Sequence, residues 1–479
     1  MHPTISLTSK SQQVDNLVLI MAGNNSFPAG LFSKPEKSYI LQQQTKHSKE
    51  LISFNRLDYN IYVYFLKDTP DHFNRIEECR KSGDKIASCL NELRFRKVIL
   101  YDVSDNAEET LALAEGMALG CYQFLKYKQD KKKKSSLEEI EIYSPSVEEY
   151  QVTQLNILVE SVYRSRTLIN EPNSFLTAGV FAKEIEKMAG ECNAVVEVMN
   201  KKKLEALKME GLLGVNKGSS EPPTFTVMEW NPANAGNKRP IVLVGKGIVF
   251  DSGGMNLKPG NTMMDMKDDM SGAAAVAATI FAIAKAMLPV HVIGLMPATD
   301  NRPGPSAIVP GDVIKMHSGT TVEIIDTDAE GRLILADALS YARKYKPELV
   351  IDLATLTGSA VRAVGKSAAV VMHSKAQKEV AMLIAASHRV HERLIEFPLW
   401  DDYGDLIKSE IADIKNLGPP EAGSITAGKF LQKFTDYPYI HIDIAGPAFL
   451  DKRDSYRGQG GTGFGVRLLF EFIKMISGH

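Results

Sequence analysis

The stretch IIDTDAEGRL, Ile324 to Leu333, carries Asp326, Asp328 and Glu330 at every second position and follows them with Arg332. Carboxylates crowded to about 4 Å repel one another by roughly 4 kcal/mol per pair at an effective dielectric near 20, so something must compensate. Two further segments add groups of the same kind. GKGIVFDSGG supplies Lys246 and Asp251, and LKPGNTMMDMKDDMSG supplies Lys258, Asp265, Lys267, Asp268 and Asp269. A chain that sends several acids and lysines to one end of a sheet must neutralise them together, because a buried unpaired charge is expensive. Metal ions would do that. Histidine stands outside the pattern: none of the ten forms H-E-x-x-H or another ligand spacing, and HSKAQKEV, SHRVHERL and MHSG read as surface helix or turn. Carboxylates without imidazole point to magnesium, manganese or a paired-metal centre rather than to a lone catalytic zinc.

Such groups need a rigid frame. The acidic stretch follows the strand-like TVEII, Thr321 to Ile325, and runs into LILADALSYARKY, whose apolar residues recur at helical spacing. The acids are therefore expected at a strand's C-terminal end, where parallel α/β sheets place their ligands. Apolar β-rich runs recur around it, PIVLVGKGIVF, VHVIGLM, ELVIDLATL and YIHIDIAG, with helical stretches between them. Near-continuous apolar strands mean a sheet covered on both faces. DVIKMH and TTVEII around Ser318-Gly319 read as a hairpin, which would make the sheet mixed.

Up to about Leu125, strand-like YNIYVYFL and KVILYDV alternate with helical runs, as in a smaller α/β domain. KYKQDKKKKSSLEE, Lys126 to Glu139, is a charge run without apolar periodicity and reads as an exposed connection. SVEEYQVTQLNILVESVYRSRTLINEP, with Ser146 and Glu149 placed as a capping box, reads as a linker helix over about 149–170. The expected fold is α/β in two domains: a small N-terminal α/β domain, 1–148, and a larger C-terminal mixed-sheet α/β catalytic domain, 149–479.

Fifty-six basic residues against 58 acidic give a net charge of -2, which exerts no global pull toward nucleic acid or membrane. No apolar run reaches the roughly 20 residues of a spanning helix. The N-terminal MHPTISLTSKSQQ lacks the basic and apolar regions of a secretory signal. Cys79, Cys89, Cys121 and Cys192 are scattered without C-x-x-C spacing, which argues against a disulfide framework or a zinc knuckle and for a reducing cytoplasm.

From Tyr163 onward the chain resembles a known family. VGKGIVFDSGG, MKDDMSGAAAV, DTDAEGRLILADAL and ATLTGSA resemble, in order and spacing, the motifs of the leucyl (cytosol) aminopeptidases, metallopeptidases whose signature reads N-T-D-A-E-G-R-L. GLLGVNKGSSEPP, AGSITAGKFL, HIDIAGPA and GTGFGVRLL extend the resemblance. It implies a di-metal aminopeptidase that removes a leucine-like N-terminal residue from peptides by a metal-bridging hydroxide. Two divalent ions, manganese or zinc first and magnesium or cobalt next, would be held by Lys246, Asp251, Asp269, Asp328 and Glu330. Lys258 would stabilise the oxyanion, and Arg332 would hold a bicarbonate-type general base. Met266, Thr355, Gly358, Ala445 and Ala448 would line the side-chain pocket. The charges are compatible, since four carboxylates offset two divalent ions once Lys246 is neutral. The family also forms hexamers, so a cytoplasmic homohexamer acting on peptides is expected, with no membrane or nucleic-acid partner.

One residue departs from the signature: Asp326 stands where the family has Asn, and an ionised carboxylate only accepts hydrogen bonds, whereas an amide also donates. Two other readings use the same residues. Two-metal phosphoester hydrolysis lacks a Gly-rich phosphate cradle here. A non-catalytic DNA-binding or scaffold member of the same fold would use Lys126 to Lys134 as its contact.

Overall fold

The computed structural model describes residues 2–9, 16–21, 27–66, 69, 71–130 and 134–478. Met1 and residues 10–13 of the N-terminal stretch, and Lys131 to Lys133 of the basic run, lie outside the described residues. The chain forms two compact units, Met1–Tyr163 with Arg453–Gly458 and Arg164–Lys452 with Gln459–His479. The division falls inside the helix Glu149–Asn170 rather than ahead of it at residue 148.

The first unit is built on a six-stranded sheet of β1 (Thr4–Leu7), β2 (Asn16–Met21), β3 (Leu51–Asn55), β4 (Asn60–Phe65), β5 (Lys97–Asp102) and β6 (Glu139–Tyr143). Its order is β1-β6-β5-β2-β4-β3, parallel throughout except for the β3–β4 pair. β2 and β4, NLVLIM and NIYVYF, are buried at every position, as strands covered on both faces must be. The helix Glu149–Asn170 has the expected span but a different capping contact. Glu148 N donates to Gln151 Oε1 at 2.9 Å, while the Ser146 hydroxyl is engaged with Ser144 Oγ, so the expected Ser146–Glu149 box is replaced by this single bond.

The second unit is a nine-stranded mixed sheet. β7 (Val195–Met199), β8 (Thr224–Trp230), β9 (Ile241–Gly245), β11 (Val292–Asn301), β14 (Leu349–Ala354), β15 (Ala369–Ser374), β16 (Leu394–Glu396) and β18 (Tyr439–Asp443) run in the order β16-β15-β18-β14-β9-β11-β8-β7, and β10 (Gly247–Asp251) adds to β11. The core strands β18, β14, β9, β11 and β10 are mutually parallel; the β11–β8, β8–β7 and β15–β18 pairs are antiparallel. Alternate residues of β11 face opposite layers. Gly294 lies under Ile280 of the helix Ser271–Lys285, whereas Ile293 and Leu295 join a core with Leu333 to Leu335 of the helix Gly331–Ala342. The Ala-rich helix Ser271–Lys285 is buried from Ser271 to Ala284, which explains why its sequence is apolar on every side.

The hairpin forms, but elsewhere. β12 (Val313–Lys315) and β13 (Thr321–Glu323) pair antiparallel and join β17 (Ile414–Lys415) in a separate three-stranded sheet. Thus the large sheet owes its mixed character to other strands, and the acids of 326–330 follow a strand of the small sheet. The cause is burial: β13 buries only its central residue, whereas the strands of the large sheet's centre are buried throughout. Among the described residues no helix is long and apolar enough to cross a membrane.

Asp337 ties these layers together from inside the helix Gly331–Ala342. Its carboxylate accepts from Leu212 N and from His317 N, both at 3.0 Å, and burial pushes it up to about 7. Asp337→Ala removes the partner of the buried Leu212 N–H and of the part-buried His317 N–H and should cost about 2–5 kcal/mol. Urea denaturation checks this, and a loss below about 1 kcal/mol would mean the two donors find other partners.

Candidate active site

The candidate residues arrive from strand ends and helix starts. β9 delivers Lys246, β10 ends on Asp251, and β14 and β18 lead into Thr355 and Ala445, all at the C-terminal ends of parallel strands. Asp269 and Glu330 stand just ahead of the helices Ser271–Lys285 and Gly331–Ala342, where unpaired backbone N–H groups favour negative charge. Lys246, Asp251, Lys258, Asp269, Asp328, Glu330 and Arg332 all line one open cavity of about 540 Å³.

Their contacts interlock. Lys246 Nζ lies 2.8 Å from Asp269 Oδ1 and 2.9 Å from Glu330 Oε1, and donates to Thr355 O at 2.8 Å. Lys258 Nζ lies 2.8 Å from Asp251 Oδ2 and 2.7 Å from Asp328 Oδ1. Asp251 Oδ1 accepts from Gly253 N and Asn301 Nδ2, both at 2.9 Å. Two glycines pack closely against the site. A Cβ on Gly331 would stand 2.4 Å from Lys246 Cε, and Gly253, at φ +89°, would place one 2.3 Å from Asn256 O.

Burial sets the electrostatics. It raises the carboxyls of Asp269 and Glu330 above the usual range, the neighbouring acids add to this, and Lys246 only partly offsets it. Asp328 is pushed up to about 7 by burial and then by Asp251 and Glu330. Burial acts against the charged forms of Lys246 and Lys258, yet the surrounding carboxylates outweigh it and hold both ammonium groups above their ordinary value. Arg332 is pulled down to about 10 by burial and remains a cation at neutral pH.

Two lysines do not satisfy this cluster. Asp269 Oδ2 and both Glu330 carboxylate oxygens are buried without a hydrogen-bond partner; Glu330 Oε1 is close to Lys246 as an ion pair but not aligned for a hydrogen bond. Arg332 Nε is orphaned in the same way. One oxygen each from Asp251, Asp328 and Glu330 lies within 4.8 Å of the others, close enough to share a metal ion. An all-oxygen donor set with unsatisfied buried oxygens fits hard divalent cations.

The remaining expectations divide. Met266, Thr355, Gly358 and Ala445 line the cavity. Ala448 does not: it is 1% exposed, turned inward where its N donates to Ile444 O and its carbonyl accepts from Thr462 N. Among the histidines, His373 lies on β15 rather than on a surface helix or turn, 3.2 Å from Glu396. Sequence reading missed Asn416. This fully buried residue accepts through Oδ1 from Ile325 N (2.7 Å) and Asp326 N (3.3 Å) and donates through Nδ2 to Asp326 O at 2.7 Å. Its carbonyl takes the Arg332 Nη1 donor at 2.7 Å, so one residue fixes both the acidic loop and the guanidinium. Its separation of 84 positions from Arg332 leaves no spacing by which to find it. Thr327 was missed too; its Oγ1 donates to Gly253 O and accepts from Asn256 N, joining the acidic loop to the one after Asp251.

Carboxylates gathered from a parallel-strand end, two helix starts and the acidic loop, with buried oxygens left unsatisfied, define a candidate divalent-metal enzyme. Comparison with known proteins takes the assignment to a family. Residues 163–470 match the cytosol aminopeptidase family, catalytic domain. The probable cytosol aminopeptidase of Chlorobium phaeobacteroides is 47% identical over 423 residues, 83% of each chain, and that of Geobacter sulfurreducens 44% over 368 residues, 76% of this chain and 74% of that one. Among solved structures, the bottromycin maturation enzyme BotP in complex with Mn matches with a TM-score of 0.86 and 29% identity, covering 97% of this chain and all 100% of that one. A mutant of tomato leucine aminopeptidase matches with a TM-score of 0.86 and 27% identity, covering 98% and 96%. The chain belongs to the cytosol aminopeptidase family of peptide hydrolases.

Asp326, the departure from the signature, uses its carboxylate to accept from Asp328 N at 2.8 Å. An amide oxygen serves that donor equally well. Asp326→Asn is therefore expected to keep kcat/KM on a leucyl chromogenic substrate within about threefold. A thousandfold loss would place Asp326 among the reacting groups.

Proposed function

We propose that the chain is a two-metal aminopeptidase that removes leucine-like N-terminal residues from peptides, and that it works as a cytoplasmic homohexamer as its family resemblance implies. One observation supports the chemistry above all: buried carboxylate oxygens of Asp269 and Glu330 remain unpartnered although two lysines already reach into the cluster. Lys246, Asp251, Asp269, Asp328 and Glu330 would hold two divalent ions, manganese or zinc before magnesium or cobalt. Bound there, such ions supply Lewis acidity: they polarise the scissile carbonyl and lower the pKa of a water from about 15.7 toward about 7.

The chain's own groups do the rest. Asp269 and the surrounding acids attract the free α-ammonium of a peptide, and an internal residue has no such group to offer, so cleavage is confined to the terminal bond. Lys258 reaches the cavity as a cation and donates to the carbonyl oxygen as negative charge develops there. Arg332, anchored by Asn416 O through Nη1, keeps Nε free to hold a small anion such as bicarbonate, which places a base beside the attacking water. Lys246 becomes a ligand only by surrendering its proton, which the carboxylates oppose until added positive charge offsets them.

Chelation should abolish hydrolysis of leucyl substrates, and manganese or zinc should restore it. Full activity in protein shown metal-free by elemental analysis would refute the two-metal reading. Arg332→Ala should lower kcat by about a hundredfold or more with a smaller change in KM, because its contribution belongs to the transition state. Bicarbonate added to depleted enzyme should stimulate the parent and not the variant; equal stimulation of both would remove Arg332 from that role.

A further inference from the structure

The cavity wall carries a cation that the acidic cluster does not use. Arg362, on the short helix Gly358–Val364, lines the same cavity as Lys246 and Glu330. Its Nη2 donates to Ser359 Oγ at 3.1 Å, and its Nη1 lies against Gly358, where an added Cβ would stand 3.3 Å away. Ser359 Oγ faces Gly423, where an added Cβ would come within 2.6 Å of it. The guanidinium thus rests along the wall. Among the described residues no carboxylate pairs with it, whereas Lys246 and Lys258 are engaged by acids and Arg332 by Asn416 O.

A planar guanidinium with free donors matches a carboxylate in a two-point contact that a lysine does not reproduce. The described residues supply no such partner at this place, and the cavity is where the peptide must lie. We propose that Arg362 binds a carboxylate carried by the substrate, so that this enzyme favours peptides bearing an acid close to the scissile bond. The proposal rests on the aminopeptidase reading and specifies its substrate: a C-terminal carboxylate leaves the leucine-like first residue in place, whereas an acidic first side chain replaces it. The carboxylate has two possible sources, the side chain of an N-terminal Asp or Glu and the C-terminal carboxylate of a dipeptide.

Four substrates separate them: glutamyl and leucyl anilides, which lack a C-terminal carboxylate, and the dipeptide Leu-Gly beside its C-terminal amide. The parent, Arg362→Gln and Arg362→Lys are compared as metal-loaded full-length proteins. Arg362 is exposed, so both variants are expected to fold. In Arg362→Gln the kcat/KM ratio of the acid-bearing to the neutral member of one pair should fall about tenfold, mainly through KM, and Arg362→Lys should recover part of it. A fall in the glutamyl/leucyl ratio assigns the side chain; a fall in the dipeptide/amide ratio assigns the C-terminus. Changes under twofold in both ratios would overturn the proposal while leaving the aminopeptidase reading intact. A parent that cleaves none of the four would overturn both.

Discussion

Mutual repulsion among Asp251, Asp269, Asp328 and Glu330 is the constraint around which the second unit is organised. Carboxylates packed so closely, three of them buried, cannot all stay charged unless positive charge is brought to them, and the raised pKa values of Asp269, Asp328 and Glu330 express that cost. Lys246 and Lys258 each bridge two acids, and Arg332 adds a third cation at the edge. Four negative charges against three positive ones leave the cluster short by one, and oxygen atoms on Asp269 and Glu330 remain unsatisfied. A protein interior keeps such a deficit only where function requires it, since apolar residues of similar volume would be at least as stable.

The fold meets this constraint with rigid parts and little room to relax. β9, β14 and β18 end level with one another and β10 continues along β11 to Asp251, so these parallel strands deliver Lys246, Thr355, Ala445 and Asp251 to one cavity. Asp443, at the end of β18, reinforces the rim from below: it accepts from Thr357 Oγ1 at 2.7 Å and from Leu356 N and Ala445 N, both at 3.2 Å. Beneath it Asp352 and His441 form a buried pair at 2.7 Å, with Tyr439 donating to the same carboxylate. This polar row lies within the sheet's hydrophobic interior, where hydrogen bonds satisfy the carboxylates and leave His441 Nε2 without a partner.

What was legible in the sequence followed from periodicity and local motif. The two-domain α/β class, the linker helix and the cavity's charged residues are all local patterns: strand-length apolar runs, helical spacing and short acidic or basic clusters. What was not legible depended on pairing over distance. The hairpin at Val313–Glu323 was recognisable as a hairpin, yet its membership of a separate sheet rests on β17, about ninety residues on, meeting β13. Asn416 escaped for the same reason, because an Asn beside a two-residue strand has no distinguishing neighbourhood until the chain folds. Ala448 was misplaced because an alanine carries no polarity by which to tell a cavity wall from the layer behind it.

The choice of arginine at position 332 follows from the same electrostatics. Burial lowers any cation's pKa, and a lysine starts from a lower value and shifts readily when desolvated. Arg332 is lowered only to about 10, so its charge persists across the neutral range. Its fork also divides its donors. Nη1 is committed to the Asn416 carbonyl, which sets the plane of the guanidinium, while Nε stays unpartnered. A lysine has one nitrogen for both duties, and anchoring it to a carbonyl would turn its charge toward the protein. Asn416 can serve as anchor because its side chain already clasps the backbone of Ile325 and Asp326, so the guanidinium and the acidic loop share one support. The spacing between the guanidinium and the carboxylates is thereby set by a single buried residue rather than by the flexible reach of a side chain.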